Sequence, residues 1–164
     1  MTKKVFLVAA AMLLASCAGK NEEYVHYCPN VHIVPENSRL THMAGREVES
    51  KVELIGYEGY CRTDARGHSK AVVAPIFEVS RQNEISSEYV QFNYYTQTGD
   101  DRNDKFSQKT YSVSIKVPEV GKKLMHQGEY VEVIIPDYQP GYKIDMGLLL
   151  SQYQHRYNRT HGLR

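Results

Sequence analysis

From Val31 onward the chain repeats with a period of two. Tyr89-Val90-Gln91-Phe92-Asn93-Tyr94-Tyr95-Thr96 sets Val90, Phe92 and Tyr94 on one side, and Tyr111, Val113, Ile115 and Val117 mark one face of the next segment. Side chains alternate across a strand but return only every 3.6 residues on a helix, so the spacing predicts half-buried strands. Val131, Val133 and Ile135, then Tyr142, Ile144, Met146 and Leu148, continue the pattern around the turn Pro136-Asp137-Tyr138-Gln139-Pro140-Gly141. Residues 48–61 and 70–79 are longer extended runs around 62–69, where Asp64 and Gly67 suit a hairpin loop. Gly56 and Gly59 suggest a bulge, Pro75 an edge or irregular strand position, and Gly99 to Asp104 a turn. Seven strands are expected, at 31–34, 48–61, 70–79, 88–97, 106–117, 129–136 and 142–150. That count and spacing predict an all-β domain, an immunoglobulin-like β-sandwich with a small β-barrel as the alternative.

The N-terminus departs from this pattern. Lys3 and Lys4 precede the apolar run Val5 to Ala15, which is shorter than the roughly 20 residues a membrane-spanning helix needs. A basic start followed by a short apolar stretch reads as an export signal. Leu14-Ala15-Ser16-Cys17 resembles the lipobox of bacterial lipoproteins, in which a small residue precedes a cysteine that is acylated before the signal is cut. The resemblance implies a signal peptide over 1–16, lipidation at Cys17, and a mature chain of 148 of the 164 residues. Two or three acyl chains anchor a protein stably. By the same resemblance, Ala18 in place of Asp favours the outer membrane, with the domain facing the periplasm. Residues 17–27 read as a tether, which at about 3.3–3.6 Å per residue keeps the domain near the bilayer. The sandwich is expected over 28–150 and a basic tail over 151–164.

With Cys17 assigned to lipid, Cys28 and Cys61 remain as an even pair in an oxidising compartment, which predicts a disulfide. A metal pair or a redox pair is disfavoured by the lack of a CxxC spacing. If the two cysteines lie on antiparallel neighbours, Val31 faces Glu58 and Val34 faces Ile55, and Thr41 to Val48 makes the connection.

Charge and motifs narrow the chemistry. Twenty Lys and Arg against 19 Asp and Glu give a formal charge of +1, so no basic groove for nucleic acid is expected. The seven histidines lack HxH or HExxH spacing, and the acidic loop at 100–104 departs from the calcium-loop pattern at Lys105, so no metal site is expected. Gly56-Tyr57-Glu58-Gly59 matches a GxxG clamp but lies in a strand-like run. No G-x-S-x-G, Ser-x-x-Lys or Walker sequence is present, no cofactor is implied, and no enzyme activity is expected.

Thirteen tyrosines in a chain without tryptophan are the strongest bias. Tyrosine is a good strand former and cross-strand packer; exposed in clusters it makes a recognition surface. Tyr57 with Tyr60 and Tyr94 with Tyr95 are the candidate positions. The last fourteen residues hold Arg156, Arg159 and Arg164 with no acidic residue, and read as a short helix or mobile tail. That segment is either a solvated end packed by Tyr153 and Tyr157 or a basic surface, carried by Arg156 and Arg159, for phosphate groups or an acidic partner.

Cys28-Pro29, Ser38-Arg39-Leu40-Thr41, Gly59-Tyr60-Cys61 and Tyr157-Asn158-Arg159 resemble elements of a family of small, uncharacterised Gram-negative outer-membrane lipoproteins. The resemblance covers most of the mature chain and implies the architecture without implying an activity. The expected role is a lipid-anchored envelope protein that acts by contact with another envelope protein, with the membrane held through Cys17. The alternative is a periplasmic binder of a small molecule, lipid or glycan.

Overall fold

The computed structural model describes residues 29–63, 69–84, 87–100, 102, 104–134 and 141–161. Among these residues the strands are β1 (Asn30–Ile33), β2 (Arg39–Ala44), β3 (Glu47–Thr63), β4 (Ser69–Arg81), β5 (Tyr89–Gly99), β6 (Lys105–Lys116), β7 (Lys123–Gln127), β8 (Val131–Ile134) and β9 (Lys143–Leu148). One helix, α1 (Gln152–Thr160), follows them. The strands form two sheets, the first ordered β1-β9-β5-β6 and the second β2-β3-β4-β7, with β8 also paired to β4. The expected β-sandwich is the architecture, built from nine described strands rather than about seven.

Local chemistry explains the long hairpins. β3 pairs antiparallel with β4 from Ser50↔Arg81 to Thr63↔Ser69, and β5 with β6 from Tyr89↔Lys116 to Gly99↔Lys105. At the β5–β6 turn the Asp100 carboxylate accepts from the N–H groups of Arg102 and Asp104, at 2.9 and 3.0 Å. The β3–β4 register slips between Leu54 and Gly56, a bulge where the glycines suggested one. Pro75 lies inside a central strand, yet at an irregular position: its partner on the far side changes there from β7 to β8. Gly128 closes that break by donating its N–H to the Pro75 carbonyl at 2.8 Å. A Cβ on Gly128 would sit 2.8 Å from Pro75 Cγ, so only glycine allows this approach.

The core fills the space between the sheets. Phe77, Val52, Val79, Ile144, Met146 and Leu148 are fully buried, and Phe77 packs edge-on to Phe92 and Tyr94 with ring centroids 5.0 and 5.6 Å apart. These residues occupy alternate positions on their strands, as the period of two requires.

The first hairpin is not the expected one. β1 runs parallel to β9, with Val31 beside Ile144 and Ile33 beside Met146, so Val31 does not face Glu58 nor Val34 Ile55. The cause is Pro35-Glu36-Asn37, a 3-10 turn with proline at its start that ends β1 and sends the chain into the other sheet. β2, which occupies much of the span expected to be a connection, is the strand that hairpins with β3, from Arg39↔Glu53 to Ala44↔Glu47. Gly45, with φ of 62°, makes the turn in the left-handed region. β7 is the other added strand; its residues are mostly exposed and carry little alternation. The two late strands, β8 and β9, belong to different sheets rather than to one hairpin.

Residues 151–161 form a helix with its cap rather than an unstructured tail. Ser151 caps it, its Oγ accepting from the Gln154 N–H at 3.2 Å. Cys17, Cys28, the loop at 64–68 and the turn at 135–140 lie outside the described residues.

Candidate interaction face and adjoining clefts

Alternation gives the second sheet an inner and an outer face. Cys61, Ala71 and Val133 share a row and join the core, so Tyr60, Val72 and Glu132, the adjacent row, lie on the outer face. Glu58 and Ala74 form the next row. Val72 and Ala74 are small and buried, whereas Tyr60 is 48% exposed. Tyr130, 53% exposed, precedes β8 and tilts against Tyr60, with centroids 6.3 Å apart. Its hydroxyl donates to Glu58 Oε2 at 3.1 Å, and Gln127 Nε2 donates to the same oxygen at 3.0 Å. Glu58 therefore ties Tyr130 and Gln127, and through the ring of Tyr130 positions Tyr60, over a floor of small apolar side chains.

Charged residues frame this patch. Glu132 pairs with Arg62 and, at 3.5 Å, with Lys70; Ile134 lies in the same row as Arg62 and Lys70 and is exposed. At the other end Met125 is exposed beside Glu78, which accepts from Lys123 Nζ at 2.7 Å. Rigid aromatic rings over an apolar floor, bounded by ion pairs, have the make-up of a protein contact surface.

The residues nominated from sequence do not assemble into one surface. Tyr60 stands on the outer face, but Tyr57, three residues away, points to the opposite side of β3. Tyr94 and Tyr95 are not a recognition surface, being only 2% and 9% exposed. Tyr94 packs into the core against Phe77, and Tyr95 lies beside Gly147 on β9, whose missing side chain leaves room for the ring. Burial pushes both phenols above their ordinary range, with Tyr111 and Glu129 adding to the effect at Tyr94, and Asp145 and Glu36 at Tyr95. Arg156 and Arg159 are exposed on α1, at the β2 edge of the second sheet, while Tyr130 sits beside β8 at the other edge. Cys61 is buried in β3 opposite Ala71. Sequence reasoning missed Tyr130, Glu58 and Gln127, whose meeting depends on β7 and β8 sharing β4.

Clefts adjoin the sandwich. One, of about 420 Å³, opens between β6 and the β7–β8 segment, with Tyr94, Tyr111, Val113 and Val131 inside and His126 and Glu129 among the wall residues. The Tyr94 and Tyr111 rings stack at 4.9 Å, 21° from parallel. Another, of about 360 Å³, gathers His42, Glu49, Ser50, Ser87 and Tyr89. Burial lowers the His42 pKa, partly offset by Glu49, and its Nε2 is buried without a hydrogen-bond partner. No group of three or more His, Cys, Asp or Glu able to hold a metal ion occurs among the described residues.

No protein-family model matches the chain, and no curated protein matches it. Among solved structures it is similar to the variable domain of the AgI/II polypeptide BspA of Streptococcus agalactiae, at 12% identity over 73% of this chain and 77% of that one, with a TM-score of 0.18.

Proposed function

We propose that the chain is a lipid-anchored envelope protein of the outer membrane, held through Cys17, whose sandwich acts by contact with another envelope protein through the face around Tyr60 and Tyr130. The observation that carries the contact reading is the Glu58-centred arrangement: half-exposed Tyr130, fixed by its hydrogen bond to Glu58, tilts against half-exposed Tyr60 over buried Val72 and Ala74. Large rings already held in place lose little entropy on binding. The anchor reading rests on Leu14-Ala15-Ser16-Cys17; among the described residues no helix is long and apolar enough to cross a membrane. A Cys28–Cys61 bridge belongs to this proposal; it is supported by the even pair of cysteines left once Cys17 is assigned to lipid and by the burial of Cys61.

A photo-crosslinking residue at Tyr60, compared with one at exposed Ser112 on the first sheet, tests the reading in intact cells. The expected outcome is one dominant protein adduct from position 60 and none from 112. Equal labelling from both positions removes the contact face. Release of Cys17→Ala into the soluble fraction is expected in parallel, and its retention in membranes removes the anchor.

A second reading, binding of a small molecule, lipid or glycan, is favoured by the cleft beside β6. Its volume lies within the roughly 300–1,000 Å³ typical of ligand sites, and the part-buried Tyr111 ring, stacked on buried Tyr94, gives it an aromatic wall. Titration with envelope glycans and lipids, read by tyrosine emission, is expected to saturate; a flat response excludes this reading for those ligands.

A further inference from the structure

β2 ends the second sheet, and α1 stands where the next strand would lie. The Leu54 N–H donates to the Ser38 carbonyl, so even-numbered residues bond to β3 and the N–H and C=O groups of Arg39 and Thr41 point away from it. Two helix amides meet them. Gln154 Oε1 accepts from the Thr41 N–H at 3.2 Å, Gln154 Nε2 donates to the Thr41 carbonyl at 2.6 Å, and Asn158 Nδ2 donates to the Arg39 carbonyl at 2.8 Å. Four residues of helix rise about 6 Å and two residues of strand about 6.8 Å, so amides four apart on α1 match strand residues two apart. The helix copies the hydrogen bonding of a strand at the edge it covers.

Its hold is slight. Asn158 is the one buried residue of α1, 4% exposed, and its Oδ1 has no hydrogen-bond partner. Arg156 and Arg159 are on the solvent side.

We propose that α1 is a removable guard over the β2 edge, and that when it lifts, β2 pairs antiparallel with β2 of a second copy of this chain. The occupant follows from the strand's own sequence. Two-fold pairing centred on Thr41 sets Arg39 opposite Met43 and Leu40 opposite His42, so no like charges face each other. Arg39 is already engaged by Glu53, through contacts of 2.8 and 3.1 Å. An uncovered edge of this kind is a template for pairing with another chain, and pairing between identical edges closes with two-fold symmetry.

The test uses the full chain carrying Gln154→Ala and Asn158→Ala. Hydrogen exchange of the Thr41 amide in dilute solution is expected to rise about tenfold, and sedimentation velocity to show a concentration-dependent dimer where the parent chain is monomeric. Adding Thr41→Pro removes an N–H that faces away from β3, a change an edge strand tolerates, and is expected to return the double variant to monomer. Gln154→Glu, which still accepts from the Thr41 N–H but donates nothing, is a milder second variant expected to shift both readings the same way. A double variant that stays monomeric while its Thr41 amide exchanges fast overturns the proposal. Unchanged exchange overturns it as well, because these amides then do not hold the guard.

Discussion

β3 and β5 are both long interior strands with tyrosines in alternating runs, and they use them in opposite ways. On β5, Tyr94 shares the inward row with Phe92 and meets Phe77, while Tyr95, on the other face, fills the space beside Gly147. On β3, Tyr60 points outward next to Val72, and nothing from the opposing sheet covers that face among the described residues. The contrast teaches that a tyrosine's role depends on its parity in the strand and on what lies beside its ring, not on the local sequence. The largest expected effect tests this directly. Tyr94→Ala should cost about 3–5 kcal/mol, as truncation of a buried aromatic does, whereas Tyr60→Ala should change stability by less than about 1 kcal/mol. Urea unfolding of the two variants measures both, and equal losses would erase the distinction.

The sandwich was legible because its strongest strands obey the period of two without help from distant residues. The runs at 88–97 and 106–117 became β5 and β6, and both the bulge and the irregular position of Pro75 followed from residue chemistry. What could not be read was decided by partners far away in sequence. Arg39 to Ala44 is short and mixed in polarity, and becomes a strand because β3 lies on one side and α1 on the other. Lys123 to Gln127 carries little alternation because it lies at an edge. The contact face was half visible. Tyr60 could be nominated, but its union with Glu58, Gln127 and Tyr130 spans roughly seventy residues of sequence and depends on how β7 and β8 divide β4.

A smaller effect sharpens the same contrast between covered and open positions. His42 is covered and its pKa is lowered, first by burial, with Glu49 opposing. A folded pKa below the unfolded value of 6.5 means that the unfolded chain takes up the proton first, so stability is full above pH 6.5 and falls as the pH drops below it toward the folded pKa. His42→Gln should flatten that fall. Urea midpoints at pH 7.5 and pH 5 measure it, and an unchanged slope in the variant would assign the acid sensitivity to other groups.

The smallest expected change is the most discriminating for the outer face. Tyr130→Phe keeps the ring that tilts against Tyr60 and removes only the hydroxyl bonded to Glu58. An exposed hydrogen bond contributes little, because water replaces the lost partner, so stability should move by no more than about 0.5 kcal/mol. Binding is a different matter if the face works through pre-positioned rings. Freed from Glu58, Tyr130 samples more orientations, and fixing it again on contact costs entropy that the parent chain has already lost on folding. Crosslinking from position 60 should therefore weaken in Tyr130→Phe although the fold is intact. If crosslinking is unchanged while Tyr130→Ala abolishes it, the ring's apolar area carries the contact and Glu58 serves only to solvate the patch. If neither substitution matters, the tyrosines of β3 and the β7–β8 segment are strand residues left at the surface, and their contrast with β5 is one of packing alone.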